Sequence, residues 1–142
     1  MPTTIDNTPP HLEQAIALYE SVGWSSYTAE PDALHSALAH STWLRCLYED
    51  DVLVALARVV SDDATMAYLQ DVLVHPEHQR RGHGQALVEA AMERFAHCRQ
   101  FILMTDDDAK QTAFYESLGL LRTDKVTQVT LRTFVRLKGL SE

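Results

Sequence analysis

Gly82 and Gly84 stand one residue apart in a chain of 142 residues that has only five glycines. They lie in HPEHQRRGHGQALVEA, His75 to Ala90, behind a proline and two arginines. Ahead of them, Leu87, Val88, Ala91, Met92 and Phe95 recur at the three- and four-residue spacing of an amphipathic helix. Upstream, Ala67 to Val74 reads as a strand that stops at His75-Pro76, because proline cannot donate to a ladder. Downstream, FILMT, Phe101 to Thr105, is a short apolar run of the kind buried on both faces of a sheet. Strand, glycine loop, helix and strand make a right-handed parallel crossover.

The remaining segments build on that unit. Thr8-Pro9-Pro10 reads as a cap with proline in the first turn, followed by a helical stripe from Leu12 to Val22 that ends at Gly23. GWSSYT, Gly23 to Thr28, reads as a loop, and Asp32 to His40 as a second short helix. From Thr42 the period turns strand-like. TWLRCLYE and LVALARVV flank the acidic turn Glu49-Asp50-Asp51, which predicts a hairpin. Asp108, with Gln111 three residues on, forms a capping-box-like pair for a helix that closes at Gly119. VTQVTLRTFVRL, Val126 to Leu137, reads as one or two strands. The expected fold class is mixed α/β: one domain over 1–142, with helices on both faces of a mixed sheet.

The composition narrows the function classes. Twenty acidic against twelve basic residues give a net charge of -8, which argues against a nucleic-acid partner and suits either a cationic small substrate or plain solubility. No apolar run is long enough for a membrane span, and the first thirty residues lack a signal-peptide pattern, so a cytoplasmic protein is expected. Cys46 and Cys98 cannot build a disulfide framework and have no partners at metal spacing, so no metal is expected.

At the start of the helix after Gly82, backbone N–H groups lack internal partners and meet the positive end of the helix dipole. Glycines at 82 and 84 let a ligand approach the main chain, and Arg80 and Arg81 add cations. The combination suits a phosphate or diphosphate; a plain strand-to-helix turn would look similar. A P-loop is absent. A dinucleotide fingerprint matches at only two of its three glycine positions, with Leu87 at the third.

The run LQDVLVHPEHQRRGHGQALVEAAMERF resembles the acetyl-CoA site of the GNAT superfamily of N-acetyltransferases. That pattern joins a valine-rich strand end to Gln/Arg-x-x-Gly-x-Gly/Ala, here Gln79-Arg80-Arg81-Gly82-His83-Gly84. FYESLGL, Phe114 to Leu120, matches the family's later helix, in the expected order and separation. The resemblance covers nearly the whole chain and implies a mostly antiparallel central sheet. It departs at Asp108, where many members carry Asn, and at Leu120, where an aromatic is common.

The resemblance implies that the backbone of Val72, Leu73 and Val74 holds the pantetheine arm of acetyl-CoA. The N–H groups of Gln79, Arg80, Arg81, Gly82, His83, Gly84 and Gln85 would hold its diphosphate, with Asp108 and Phe114 also on the cofactor side. Tyr115 matches the proton donor to the leaving thiolate; its other use is core packing. Asp71, an acid inside an apolar strand, is a candidate base for the attacking amine, or an ion-pair partner of Arg58. Asp106 and Asp107 are second candidates, and Trp24, Tyr27 and Tyr68 are candidate pocket walls. The implied activity is acetyl transfer to a primary amine of a small molecule or protein; the alternative is a module that binds acyl-CoA with little turnover. The C-terminal strands, read as lying at a sheet edge, leave a homodimer open.

Overall fold

In the computed structural model, which describes residues 2–139, the chain runs through β1 (Thr3–Asp6), α1 (Leu12–Ser21), α2 (Ser25–Thr28), α3 (Pro31–Ala39), β2 (Trp43–Glu49), β3 (Val52–Ser61) and β4 (Met66–Val74). A short 3-10 turn (Pro76–His78), α4 (His83–Arg94), β5 (Gln100–Ile102), α5 (Ala109–Ser117) and a second 3-10 turn (Thr123–Lys125) follow. The chain divides into two compact units, Met1–Met104 and Thr105–Glu142.

The first unit holds a five-stranded sheet in the order β1-β2-β3-β4-β5, antiparallel except for the parallel β4–β5 pair. It is the mixed, mostly antiparallel sheet expected, and the β4–α4–β5 crossover is parallel as predicted. Residues 49–52 form the predicted hairpin. Asp50 and Asp51 both take left-handed φ, 50° and 63°, as a two-residue turn of matching twist requires. Gln14 of α1 braces that turn, donating to the Asp51 carbonyl at 3.0 Å and accepting from the Leu53 N–H at 2.7 Å.

Every residue of β3 from Leu53 to Val59 is buried. Successive strand side chains point to opposite faces, so this pattern needs cover on both. Leu56 and Leu73 pack with Ala15, Leu18 and Tyr19 of α1 and with Leu34 and Leu38 of α3. Leu87, Val88 and Ala91 of α4, together with Phe95, are buried where α4 lies along β3 and β4. Each fully buried leucine contributes about 1.5–3 kcal/mol over an exposed one.

Three local expectations in the first unit are corrected, and one strand is added. The first helix starts at Leu12 with His11 as its cap residue, and no side chain caps it; the residue before a proline is pushed out of helical geometry, which removes Thr8 and Pro9 from the helix. Part of the presumed loop, Ser25–Thr28, is a single helical turn. The run read as a strand at Phe101 to Thr105 pairs only over Gln100–Ile102 and is not buried on both faces, since Ile102 and Met104 are exposed and β5 lies at the sheet edge. β1 extends the opposite edge and was not foreseen.

In the second unit Asp108 caps α5, its Oδ1 accepting from the Lys110 N–H at 2.7 Å. Gln111 makes no return bond, so only half of the capping box forms. Gly119 (φ 93°) ends the helix as predicted: its N–H reaches the Glu116 carbonyl and the Leu120 N–H reaches that of Tyr115, a Schellman closure. The expected strands over Val126 to Leu137 do not form. Their β-branched side chains suit a pleated surface only where a neighbouring strand supplies a ladder, and here Val129, Leu131, Phe134, Val135 and Leu137 are exposed. Among the described residues no helix is long and apolar enough to cross a membrane.

Candidate functional site

The segment after β4 carries the most unusual backbone. Arg80 takes φ 64°, and Gly82 takes φ 84° at the position just before α4. No side chain caps α4 and its first turn has no acid. Its first internal bond is donated by Ala86 to the Gly82 carbonyl at 3.0 Å, which leaves the N–H groups of His83, Gly84 and Gln85 without helical partners. Uncapped amides at the positive end of a twelve-residue helix, with Arg80 and Arg81 close by in sequence, are suited to seat an anion. A Cβ on Gly82 would meet nothing within 4 Å, so the glycine serves its dihedral angle rather than relieving a clash. His83 is half-buried, with its Nε2 shielded from solvent and without a hydrogen-bond partner.

β4 presents an open edge beside this seat. It runs to Val74, yet β5 pairs with it only at Met66, Ala67 and Tyr68. On its other side β4 pairs with β3 as far as Val74, and the His75 N–H donates to the Val54 carbonyl at 2.8 Å. Antiparallel alternation then turns the backbone groups of Leu73 toward β3 and those of Val72 and Val74 toward the open edge. Of the three residues predicted to hold an extended ligand, Val72 and Val74 are therefore the two with outward main-chain groups. The Gln79 side chain lies along this edge, donating to the Val74 carbonyl at 3.1 Å.

Further back on β4, the register skips Gln70: Arg58 pairs with Asp71 and Val59 with Leu69. This bulge sits beside a buried polar cluster. Asp71, 2% exposed, accepts from Arg58 Nε at 2.5 Å and the Tyr19 hydroxyl at 2.9 Å on Oδ2, and from the Tyr27 hydroxyl at 2.8 Å on Oδ1. Tyr27 in turn accepts from Arg58 at 3.3 Å and from Gln70 at 3.2 Å. Of the two roles open to Asp71, the ion pair with Arg58 is formed. Burial alone would lower the Arg58 guanidinium, but the charge and hydrogen bond of Asp71 hold it above its ordinary value. Burial, then the Asp71 charge, raises both Tyr19 and Tyr27, so both phenols stay protonated. Trp24 and Tyr27 are half-buried with ring centroids 6.2 Å apart, and Tyr19 packs edge-on to each.

Comparison with known proteins gives this arrangement its context. Residues 10–120 match the model of the acetyltransferase (GNAT) family. The chain belongs to that family. Two curated relatives match about half of this GNAT chain. One is from Gibberella zeae, 36% identical over 70 residues; the other is the GCN5-related N-acetyltransferase 2 of Arabidopsis thaliana, 35% identical over 71 residues. The matches take in 47% and 50% of the chain but only 38% and 28% of those relatives. Among solved structures, the GNAT family acetyltransferase SP0256 of Streptococcus pneumoniae is 28% identical, with TM-score 0.82 over 98% of this chain and 99% of its own. The aminoglycoside N-acetyltransferase AAC(6')-Iy, solved with CoA, shares the fold at 16% identity, with TM-score 0.70 over 99% of this chain and 96% of its own.

Of the other residues singled out in this GNAT chain, Tyr68 is half-buried on β4 and the rest fall in the second unit. Tyr115 lies in α5, half-buried, edge-on to Phe114 at 4.9 Å, and burial raises its phenol above the ordinary value. Asp108 is occupied as the α5 cap, and Asp106 and Asp107 are exposed. Sequence reasoning missed Tyr19, which reads as one more apolar-stripe residue, and Gln79's side-chain latch. The polar hydroxyl of Tyr19 on a buried stripe was the available signal, since such a group needs a partner.

Proposed function

We propose that this chain transfers an acetyl group from acetyl-CoA to a primary amine of a small molecule or protein, by direct attack of the amine. The observation that carries the reading is the anion seat at α4: left-handed Arg80 and Gly82, uncapped amides, and no acid in the first turn. It lies next to the open β4 edge, where the outward groups of Val72 and Val74 can take an extended arm as an added strand. The fit of these residues to a diphosphate on a linear arm, and family membership, support acetyl-CoA as cosubstrate. The match to the family model runs across both structural units, which supports treating them as one functional domain.

When bound, acetyl-CoA supplies a thioester carbonyl open to attack and a thiolate as leaving group. The main chain from Gln79 to Gln85 would hold the diphosphate, and the Val72 N–H would be the donor for charge developing on the carbonyl oxygen. Tyr115 would be the donor to the departing sulfur, since its phenol, raised further by burial, carries its proton at neutral pH. Asp71, enclosed and bonded on both oxygens, orients Tyr27 rather than receiving a proton, and the amine loses its proton to water. The net charge of -8 favours a cationic acceptor. Two free cysteines fit a reducing, cytoplasmic setting.

A second copy of the chain is the partner we assign to the tail. Val129, Leu131, Val135 and Leu137 share one parity, Arg132, Arg136 and Lys138 the other, so the segment suits addition to an edge of an acidic partner. Light scattering of the full chain against a Leu131→Asp/Val135→Asp variant should give a dimer and a monomer; a monomeric parent overturns this assignment.

Release of free CoA in the presence of a panel of amines tests the activity. Gly82→Glu should abolish CoA binding by calorimetry, and Tyr115→Phe should lower turnover far more than affinity. Tight binding without release for any amine would make the chain an acyl-CoA-binding module instead, and no heat on adding CoA would end both readings.

A further inference from the structure

The anion-seat loop is tied down by a residue that no motif marks. Glu49 ends β2, and the antiparallel order β2-β3-β4 brings the end of β4 back beside it. Its Oε2 is shielded from solvent and makes no hydrogen bond, so its contacts are those of charge, while the side chain as a whole is 23% exposed. That oxygen contacts His78 Nδ1 and lies 3.5 Å from Arg81 Nη1, and Arg81 Nη1 is itself 3.4 Å from His78 Nδ1. His78 and Arg81 flank the left-handed Arg80. One carboxylate thus gathers the two ends of the strained turn onto the sheet. Arg80, in contrast, has no ion-pair partner among the described residues.

We propose that Glu49 is a positioning residue for the anion seat, and that it divides the labour of the adjacent arginines. Arg81, half-exposed, reaches Glu49 with one guanidinium nitrogen and so braces the loop, and Arg80 is left to meet the ligand's negative charge. The physical reason is local. A non-glycine residue at positive φ is disfavoured and persists only where its surroundings over-determine it. The Glu49 clamp supplies that constraint on both sides of Arg80. The Arg81 charge also offsets part of the Glu49 charge close to the loop. The other charged groups close by in sequence are Glu77 on the same turn and Asp50 and Asp51 on the hairpin, all acidic; without the clamp Glu49 would add to their repulsion. The inference rests on the reading of the loop as a diphosphate seat.

The test uses the full chain and the variants Glu49→Gln, Glu49→Asp, Arg81→Gln and Arg80→Gln. Calorimetry with CoA should show Glu49→Gln weakening binding about fivefold or more, with partial recovery in Glu49→Asp. KM for acetyl-CoA should rise while kcat holds. Glu49→Gln combined with Arg81→Gln should be no worse than either alone, because both break one clamp. Combined with Arg80→Gln the losses should add. Amide hydrogen exchange without ligand should speed up at 79–85 in Glu49→Gln. Unchanged exchange together with unchanged CoA affinity overturns the proposal, as does additivity with Arg81→Gln. If the parent chain binds no CoA but the exchange change is present, the clamp stands and the diphosphate reading falls.

Discussion

Replacing Asp71 by asparagine probes the buried cluster with little change of shape. In the native chain its two oxygens take three hydrogen bonds, from Tyr19, Tyr27 and Arg58. Asparagine has one acceptor oxygen and an NH2 donor. If that oxygen stays with Tyr19 and Arg58, the NH2 faces the Tyr27 hydroxyl, whose oxygen already accepts from Arg58 and Gln70. A donor then meets a donor. Arg58, only 7% exposed, keeps its charge without a counter-ion. Removing one member of a buried pair costs about 3–5 kcal/mol. That is a large share of a total stability of roughly 5–15 kcal/mol. At about 3 °C per kcal/mol for a chain of this size, Tm should fall by roughly 10–15 °C. Urea unfolding should show a lower midpoint with an unchanged slope, while kcat per folded molecule stays near the parent's. A loss below about 1 kcal/mol would refute the enclosed ion pair. Parental stability with a collapse in kcat would make Asp71 the proton acceptor.

Three further outcomes follow from particular contacts. The hydrogen bonds of the Arg94 guanidinium hold the Asp63 carboxyl down to about 2 from its ordinary 3.8. Its stabilising contribution is complete above 3.8 and lost as pH falls toward about 2, so Asp63→Asn should flatten the acid limb of the stability curve there; a superimposable limb would count against the pair. Burial pushes the Cys46 thiol up to about 12, whereas Cys98 is half-exposed, so a thiol reagent should label Cys98 in the native state and Cys46 only in denaturant; two fast thiols would contradict this. Asp108→Ala should cost about 1 kcal/mol through loss of the α5 cap, with Asp108→Asn close to the parent; equal urea midpoints for all three would remove the cap from the account.

The glycine-loop crossover was legible because its signals are local: a proline stop, two glycines and a helical stripe within one run. The Asp50-Asp51 hairpin was legible for the same reason, although the left-handed geometry of both residues was not. Elements that depend on distant partners were harder to read. β1 is four exposed residues with no apolar alternation, and becomes a strand only because β2 offers an edge. The tail has the stronger strand composition and forms none, because composition does not supply a ladder. At the site, an acid in β4 and a base in β3 could be paired from register alone. The tyrosines that complete the cluster lie 52 and 44 residues from Asp71 along the chain, and nothing local announces them. The Glu49 clamp was hidden likewise, since a glutamate before a turn reads as a solvated residue.

The exposed tail also bears on how the protein must be handled. A β-branched segment that shows apolar side chains to water can seed open-ended stacking between molecules. Arg132, Arg136 and Lys138 then act as gatekeepers, since like charges brought into register in a stack repel. Salt near 1 M shortens the range of that repulsion to about 3 Å. In concentrated stocks these three cations oppose stacking of the tail, and high salt weakens that opposition.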